Sequence, residues 1–193
     1  MDPFLKYAKA PAPLSDTAGL GDLIVKTGDK TIGTASAASS TPPPGGRVTW
    51  AVNGEGEVDA TSGLYRCKVA LNRPGSSHFA YISDETAADR APSGLALLSA
   101  AVAFCYMTQL SRYIENMRMN IRAVRLVQFN PYLAQPKAAV EPVDTHLFLN
   151  GEAPDETHLQ LLTIAARTCY LHAAAKTPVE PNLRIVHNGR ALA

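Results

Sequence analysis

Apolar and polar positions alternate along Leu64–Leu71, with Tyr65, Cys67, Val69 and Leu71 on one face and Arg66 and Lys68 on the other. A period of two marks a half-buried strand. Arg47–Val52, rich in Val, Thr and Trp, predicts a preceding strand, and Asn53-Gly54-Glu55-Gly56 predicts a turn after it. His78–Ser83 reads as a third strand, closed by the polar loop Asp84–Arg90. The period then changes. After Pro92, the residues Leu95, Leu98, Val102, Cys105 and Gln109 recur at steps of three and four, which predicts a helix. Its opposite side carries Leu97, Ala101 and Phe104, so burial nearly all round is expected.

Two more strands are predicted at Asn120–Phe129 and Val140–Leu149, the second with Val143, Thr145, Leu147 and Leu149 on one face and Asn150-Gly151 at its end. A second helix opens at Ala153-Pro154-Asp155-Glu156, where proline and two acids suit a first turn. Its expected buried stripe is His158, Leu162, Ala165, Ala166, Cys169 and Ala173, and Pro178 and Pro181 stop it before a final strand at Leu183–His187. Three strands, a helix, two strands, a helix and a strand make an α+β arrangement.

The first 46 residues read differently. Asp22–Lys26 and Lys30–Gly33 flank Thr27-Gly28-Asp29 as a small hairpin, and 34–46 is a Ser/Ala/Pro/Gly linker with nothing to bury. The expected organisation is therefore an N-terminal extension, 1–46, and a domain, 47–193.

Composition narrows the function classes. Of 193 residues 46% are apolar and 18% charged, which supplies a core and excludes wholesale disorder. Eighteen basic residues against seventeen acidic ones give +1, so no electrostatic case arises for nucleic acid or an anionic membrane as partner. Three cysteines are too few for a disulfide scaffold and imply a reducing, cytoplasmic setting. Met1-Asp2-Pro3-Phe4-Leu5-Lys6 does not read as a signal peptide. The uncharged run Ala91–Ser111 has the length of a membrane span. Pro92, Gly94, Ser99, Thr108 and Gln109 interrupt it, however, and Arg112, Glu115 and Arg118 extend it at helical spacing, as expected of a core helix.

Phosphate loops, dinucleotide glycine runs, HExxH, CxxC and nucleophile elbows are all absent from the sequence. The five histidines are scattered, and Asp144-x-His146 is too short for a metal site, so neither metal nor bound organic cofactor is expected. The cysteines carry the remaining chemistry. Cys105 and Cys169 each fall mid-helix on the stripe expected to face the core. Side-by-side helices would bring them within disulfide reach, while the alternative is that each is a small buried hydrophobe. Cys67 takes that second reading, as strand-face filler beside Tyr65 and Val69.

Two segments resemble the OsmC family of osmotically inducible and organic hydroperoxide resistance proteins. His78-Phe-Ala-Tyr-Ile-Ser-Asp-Glu85 and Ala91-Pro-Ser-Gly-Leu-Ala-Leu-Leu-Ser-Ala-Ala-Val-Ala-Phe-Cys105-Tyr-Met-Thr108 are similar to its central helix signature, "gPsPlELLLaaLagC.amT". Leu161-Leu-Thr-Ile-Ala-Ala-Arg-Thr-Cys169-Tyr-Leu-His172 is similar to its second, "L..LaeryCPvhrtl.n.v". The resemblance covers about residues 47–190 and implies two long central helices packed on antiparallel sheets in an intertwined homodimer. It implies that Cys105 attacks a hydroperoxide, that Cys169 resolves the product, and that an external dithiol restores the pair.

The family activates its first cysteine with an arginine held by a glutamate. Ala96 stands at the glutamate's position, and Val52–Gly56, where the arginine is expected, has none. Arg90, just before the helix, is the candidate substitute, ahead of Arg47 and Arg66, with Glu85 or Asp89 expected to hold it. The alternative function is a non-peroxidase relative that binds a small apolar ligand or a partner protein.

Overall fold

The computed structural model describes residues 23–26, 52–71, 77–134, 139–177 and 181–191. The chain divides into two compact units, 12–98 and 99–193. In the first, β1 (Ile24–Lys26), β2 (Val52–Val58), β3 (Tyr65–Leu71) and β4 (His78–Ser83) form one antiparallel sheet in the order β1-β4-β3-β2.

The turn expected at Asn53–Gly56 is strand instead: Gly54 pairs with Val69 and Gly56 with Cys67 across the ladder. An edge strand with exposed side chains tolerates glycine because it has little to pack, and pairing to β3 overrides local turn preference. The turn lies further on. The Asp59 carboxylate accepts the N–H groups of Thr61 and Ser62, and Gly63 takes a left-handed φ of 70°. Of the expected N-terminal hairpin, Ile24–Lys26 pairs with β4, Ile24 opposite Tyr81, while Lys30–Gly33 lies outside the described residues. Part of the expected extension thus serves as an edge strand of this sheet.

The helix α1 (Gly94–Asn116) begins at the end of the first unit and continues in the second. There β5 (Ile121–Phe129), β6 (Tyr132–Leu133), β7 (Ala139–Val140) and β8 (Asp144–Gly151) follow, then α2 (Asp155–Thr168), α3 (Tyr170–Lys176), β9 (Val186–His187) and β10 (Arg190–Ala191). β5 pairs antiparallel with β8, β6 with β7, and β9 with β10. The single strand expected over Val140–Leu149 breaks at Glu141-Pro142-Val143, where proline has no N–H to donate and restricts the residue before it. The last predicted strand is shorter than expected and turns back through Asn188 and Gly189, both at positive φ, as two-residue hairpins require.

Gly151 faces Ile121 at an irregularity of the β5–β8 ladder. A Cβ there would lie 2.6 Å from the Asn120 carbonyl oxygen and 3.1 Å from the Ile121 Cα. Gly151→Ala is therefore expected to cost about 1–3 kcal/mol by overpacking. Urea unfolding checks it, and a change within about 0.5 kcal/mol would show that the ladder relaxes freely.

The core of the second unit is Tyr106 and Leu110 from α1, Leu161 and Ala165 from α2, and Cys169, with Val124 and Leu126 of β5 and Leu147 and Leu149 of β8 packed against them. α1 is long and apolar enough to cross a membrane, yet its Tyr106 and Leu110 are buried in this core. It is not buried all round. Val102, Tyr106, Gln109 and Leu110 form the buried stripe, while Leu95, Leu98 and Phe104 are exposed, Phe104 by 64%. A helix that is apolar on every side has no preferred stripe of its own, so its packing partners select one. The second helix shows the same shift: Leu161, Ala165 and Cys169 are buried, and Leu162 is exposed.

Candidate active site

The predicted second helix is two helices, because Cys169 adopts φ −75° and ψ 116° between them. The Thr168 hydroxyl donates to the carbonyls of Ile164 (3.0 Å) and Ala165 (3.4 Å), a local bond of the kind that bends helices. The Cys169 N–H still reaches the Ala165 carbonyl at 3.0 Å, and the Cys169 carbonyl accepts the N–H of Ala173 at 3.0 Å. The expectation of one helix carrying both Ala165 and Ala173 and stopped only by Pro178 is thus corrected. The extended residue turns its thiol into the core, where Cys169 is completely buried.

Cys105, half-buried on α1, packs against the same cluster, and its side chain interacts with the Cys169 thiol. The two candidate cysteines are therefore brought together, and both are free thiols. Burial pushes the Cys169 thiol above its ordinary value, the backbone amide of His172 opposes that, and Cys105 adds to the rise.

His172, three residues after Cys169, places Nδ1 3.1 Å from the Cys169 sulfur. Its ring leans on that of Tyr106, the neighbour of Cys105, at a centroid distance of 4.9 Å and 46°. The Tyr106 hydroxyl donates to the Leu162 carbonyl at 3.3 Å, which fixes that ring in turn. Burial, and then the charge of Lys176, push the imidazole below its ordinary value. With its proton on Nε2, the neutral imidazole presents Nδ1 as an acceptor for the Cys169 S–H. On another side His172 lines a cavity of about 380 Å³, with Val102, Val143, Glu141 and Lys176 among its other walls.

Arg90 belongs to the unit 12–98, and its holder is Asp84 rather than Glu85 or Asp89. The Arg90 Nε donates to Asp84 Oδ2 at 2.8 Å, and a guanidinium NH2 donates to the Ser62 carbonyl at 2.8 Å. Asp84 is buried, and its carboxyl is held well below the usual range by hydrogen bonds from Thr86 and then from Arg90. Glu85 instead accepts from the Gly94 N–H and the Ser83 hydroxyl. Arg66 is paired with Asp59 at 2.9 Å, and Arg47 lies outside the described residues.

Cys67 is not core filler: half-buried, it borders a groove of about 510 Å³ on the first sheet together with Glu55, Arg66, Lys68 and Tyr81. No cluster of His, Cys, Asp and Glu that would hold a metal ion occurs among the described residues.

No protein-family model and no curated protein matches the chain. The solved structure of an OsmC-like protein from Mycoplasma pneumoniae superposes with a TM-score of 0.51, covering 66% of this chain and 86% of that one at 10% identity. The fold is OsmC-like. An OsmC-like hydroperoxide resistance protein from Jannaschia sp. aligns over 74% of this chain and 95% of its own, at 20% identity and a TM-score of 0.45. An organic hydroperoxide resistance protein from Legionella pneumophila aligns over 67% and 90%, at 16% identity and a TM-score of 0.44. The OsmC-like fold is the one implied by the two cysteine-bearing segments. His172 and Asp84 were not singled out from sequence as site residues, although a histidine three residues after a helical cysteine is a readable signal.

Proposed function

We propose that the chain is a thiol-dependent peroxidase that reduces an organic hydroperoxide or hydrogen peroxide, with Cys105 peroxidatic and Cys169 resolving. The convergence of Cys105 with the buried Cys169 thiol is the observation that carries this reading. The Cys105 thiolate attacks one peroxide oxygen, the O–O bond breaks, and the leaving alkoxide takes a proton to become an alcohol. The cysteine is left as a sulfenic acid. Cys169 then displaces that oxygen as water and forms a disulfide, which an external dithiol reduces by exchange in the cytoplasm. No metal or organic cofactor enters the cycle. The direct test is peroxide consumption with excess dithiol: the proposal requires many turnovers per chain, and consumption no faster than in the absence of protein would refute it.

Within its own unit the Arg90 guanidinium is fixed by the buried Asp84 carboxylate and the Ser62 carbonyl. Whether it also favours thiolate at Cys105 is read from Arg90→Ala by stopped-flow peroxide kinetics: a first attack slowed by about tenfold supports that role, and an unchanged rate removes it.

A second copy of the chain is the proposed cover for the apolar surface that α1 leaves exposed, Leu95 and Leu98 on one side of the helix and Phe104 on the other. Sedimentation equilibrium is expected to give a homodimer at micromolar concentration, and a compact monomer there would remove the claim. The alternative of a binding module for a small apolar ligand draws on the cavity beside His172, whose size suits such a molecule.

A further inference from the structure

The resolving thiol has a difficulty that its surroundings answer. Cys169 is completely buried, and a protonated thiol is a poor nucleophile toward a sulfenic sulfur. Its proton must go somewhere as the sulfur–sulfur bond forms, and the core around it, Leu110, Leu161 and Ala165, is apolar. One side chain breaks that pattern. His172 sits at 3.1 Å through Nδ1, held against the Tyr106 ring, and also borders a cavity.

We propose that His172 is the general base of the resolving half-reaction, its Nδ1 taking the proton of the Cys169 thiol as that sulfur bonds to the oxidised Cys105. This role rests on the peroxidase reading and adds a residue to it. In the step, the S–S bond forms and the S–O bond of the Cys105 sulfenic acid breaks. The electron pair of that bond leaves on oxygen as hydroxide, which takes the proton from the imidazolium and departs as water. The oxidising equivalents come from the peroxide already consumed, and no other reactant is needed.

The charges around the ring suit a transient rather than a lasting imidazolium. Tyr106 faces it from α1, where Cys105 meets the Cys169 thiol, Cys169 and Lys176 belong to its own segment, and Glu141 lines the cavity it borders. Burial and Lys176 both disfavour the protonated ring, so the base is free at neutral pH and gives its proton up readily. The sign follows. Resolution is slow when the imidazole is protonated and rises with pH through a midpoint below the ordinary histidine value.

The test is single-turnover oxidation of the full chain with one equivalent of cumene hydroperoxide, for the unmodified protein, His172→Gln and His172→Phe. The phenylalanine variant keeps a ring against Tyr106, so loss of packing in the glutamine variant is separable from loss of the base. Sulfenic acid formation, followed by dimedone trapping, is expected to keep its rate in both variants. Conversion to the disulfide is expected to slow by about 100-fold at neutral pH and to require more alkaline solution. Disulfide formation at the unmodified rate with the unmodified pH profile in both variants would overturn the role of His172 alone. Failure of the unmodified protein to form either a sulfenic acid or a disulfide would overturn the peroxidase reading, and this role with it.

Discussion

Cys105→Ser is expected to abolish peroxide consumption, because serine has no thiolate to attack the O–O bond. Cys169→Ser is expected to consume one equivalent and stop, leaving a trapped sulfenic acid, since the first step does not use the resolving thiol. The contrast between zero and one equivalent is larger than any effect of a neighbouring charge. It is read by peroxide titration without added dithiol. If both variants consume peroxide catalytically, another group does the chemistry. If neither reacts, Cys105 alone does not attack the peroxide, and the two thiols meeting in the apolar core are packing.

Leu161→Ala is expected to destabilise the chain by about 3–5 kcal/mol, the cost of a cavity in a core that does not collapse around it. Leu161 is fully buried in the cluster that also holds Tyr106, Leu110 and Cys169, so the cavity would open in the core that encloses the resolving thiol. Its neighbour Leu162 is exposed, and Leu162→Ala is expected to change stability by less than about 1 kcal/mol. Chemical unfolding of the two variants separates the observed stripe from the one that periodicity predicts, because the sequence reading places Leu162 inward. Equal losses at both positions would contradict the packing described here.

What was legible in the chain follows from how local each signal is. The alternation at Leu64–Leu71 and the three-and-four spacing after Pro92 report directly on backbone period, and both elements are present. The two cysteine-bearing segments were enough to indicate the OsmC-like fold. The stripe of α1 was not legible, since every side of that helix is apolar and only its partners choose among them. Nor was the break at Cys169: the bend rests on an extended cysteine, with Thr168 bonded back into α2, and no proline announces it. The strand at Asn53–Gly56 was hidden for a related reason, as its glycines spell a turn until β3 supplies a ladder. The holder of Arg90 was missed because loop contacts have no period, so nothing distinguished Asp84 from Glu85 or Asp89 before the loop was folded.

These differences bear on the site. A single straight helix would present Cys169 in line with Ala165 and Ala173, with no reason for its thiol to be unlike other helical cysteines. The break instead gives the thiol an apolar enclosure and a histidine within 3.1 Å. A buried thiol next to a neutral base is held in reserve: inert until an electrophilic sulfur forms beside it, then able to lose its proton. Cys67 has no such setting and borders an open groove in the other unit.

The account stands most directly on which sulfurs become bonded. After one equivalent of organic hydroperoxide, the protein is alkylated, digested and measured by mass spectrometry. One intramolecular Cys105–Cys169 disulfide is the expected product, with Cys67 alkylated in full. Cys105 recovered free and alkylated after that treatment would contradict the peroxidase reading and place the chain among OsmC-like binding proteins.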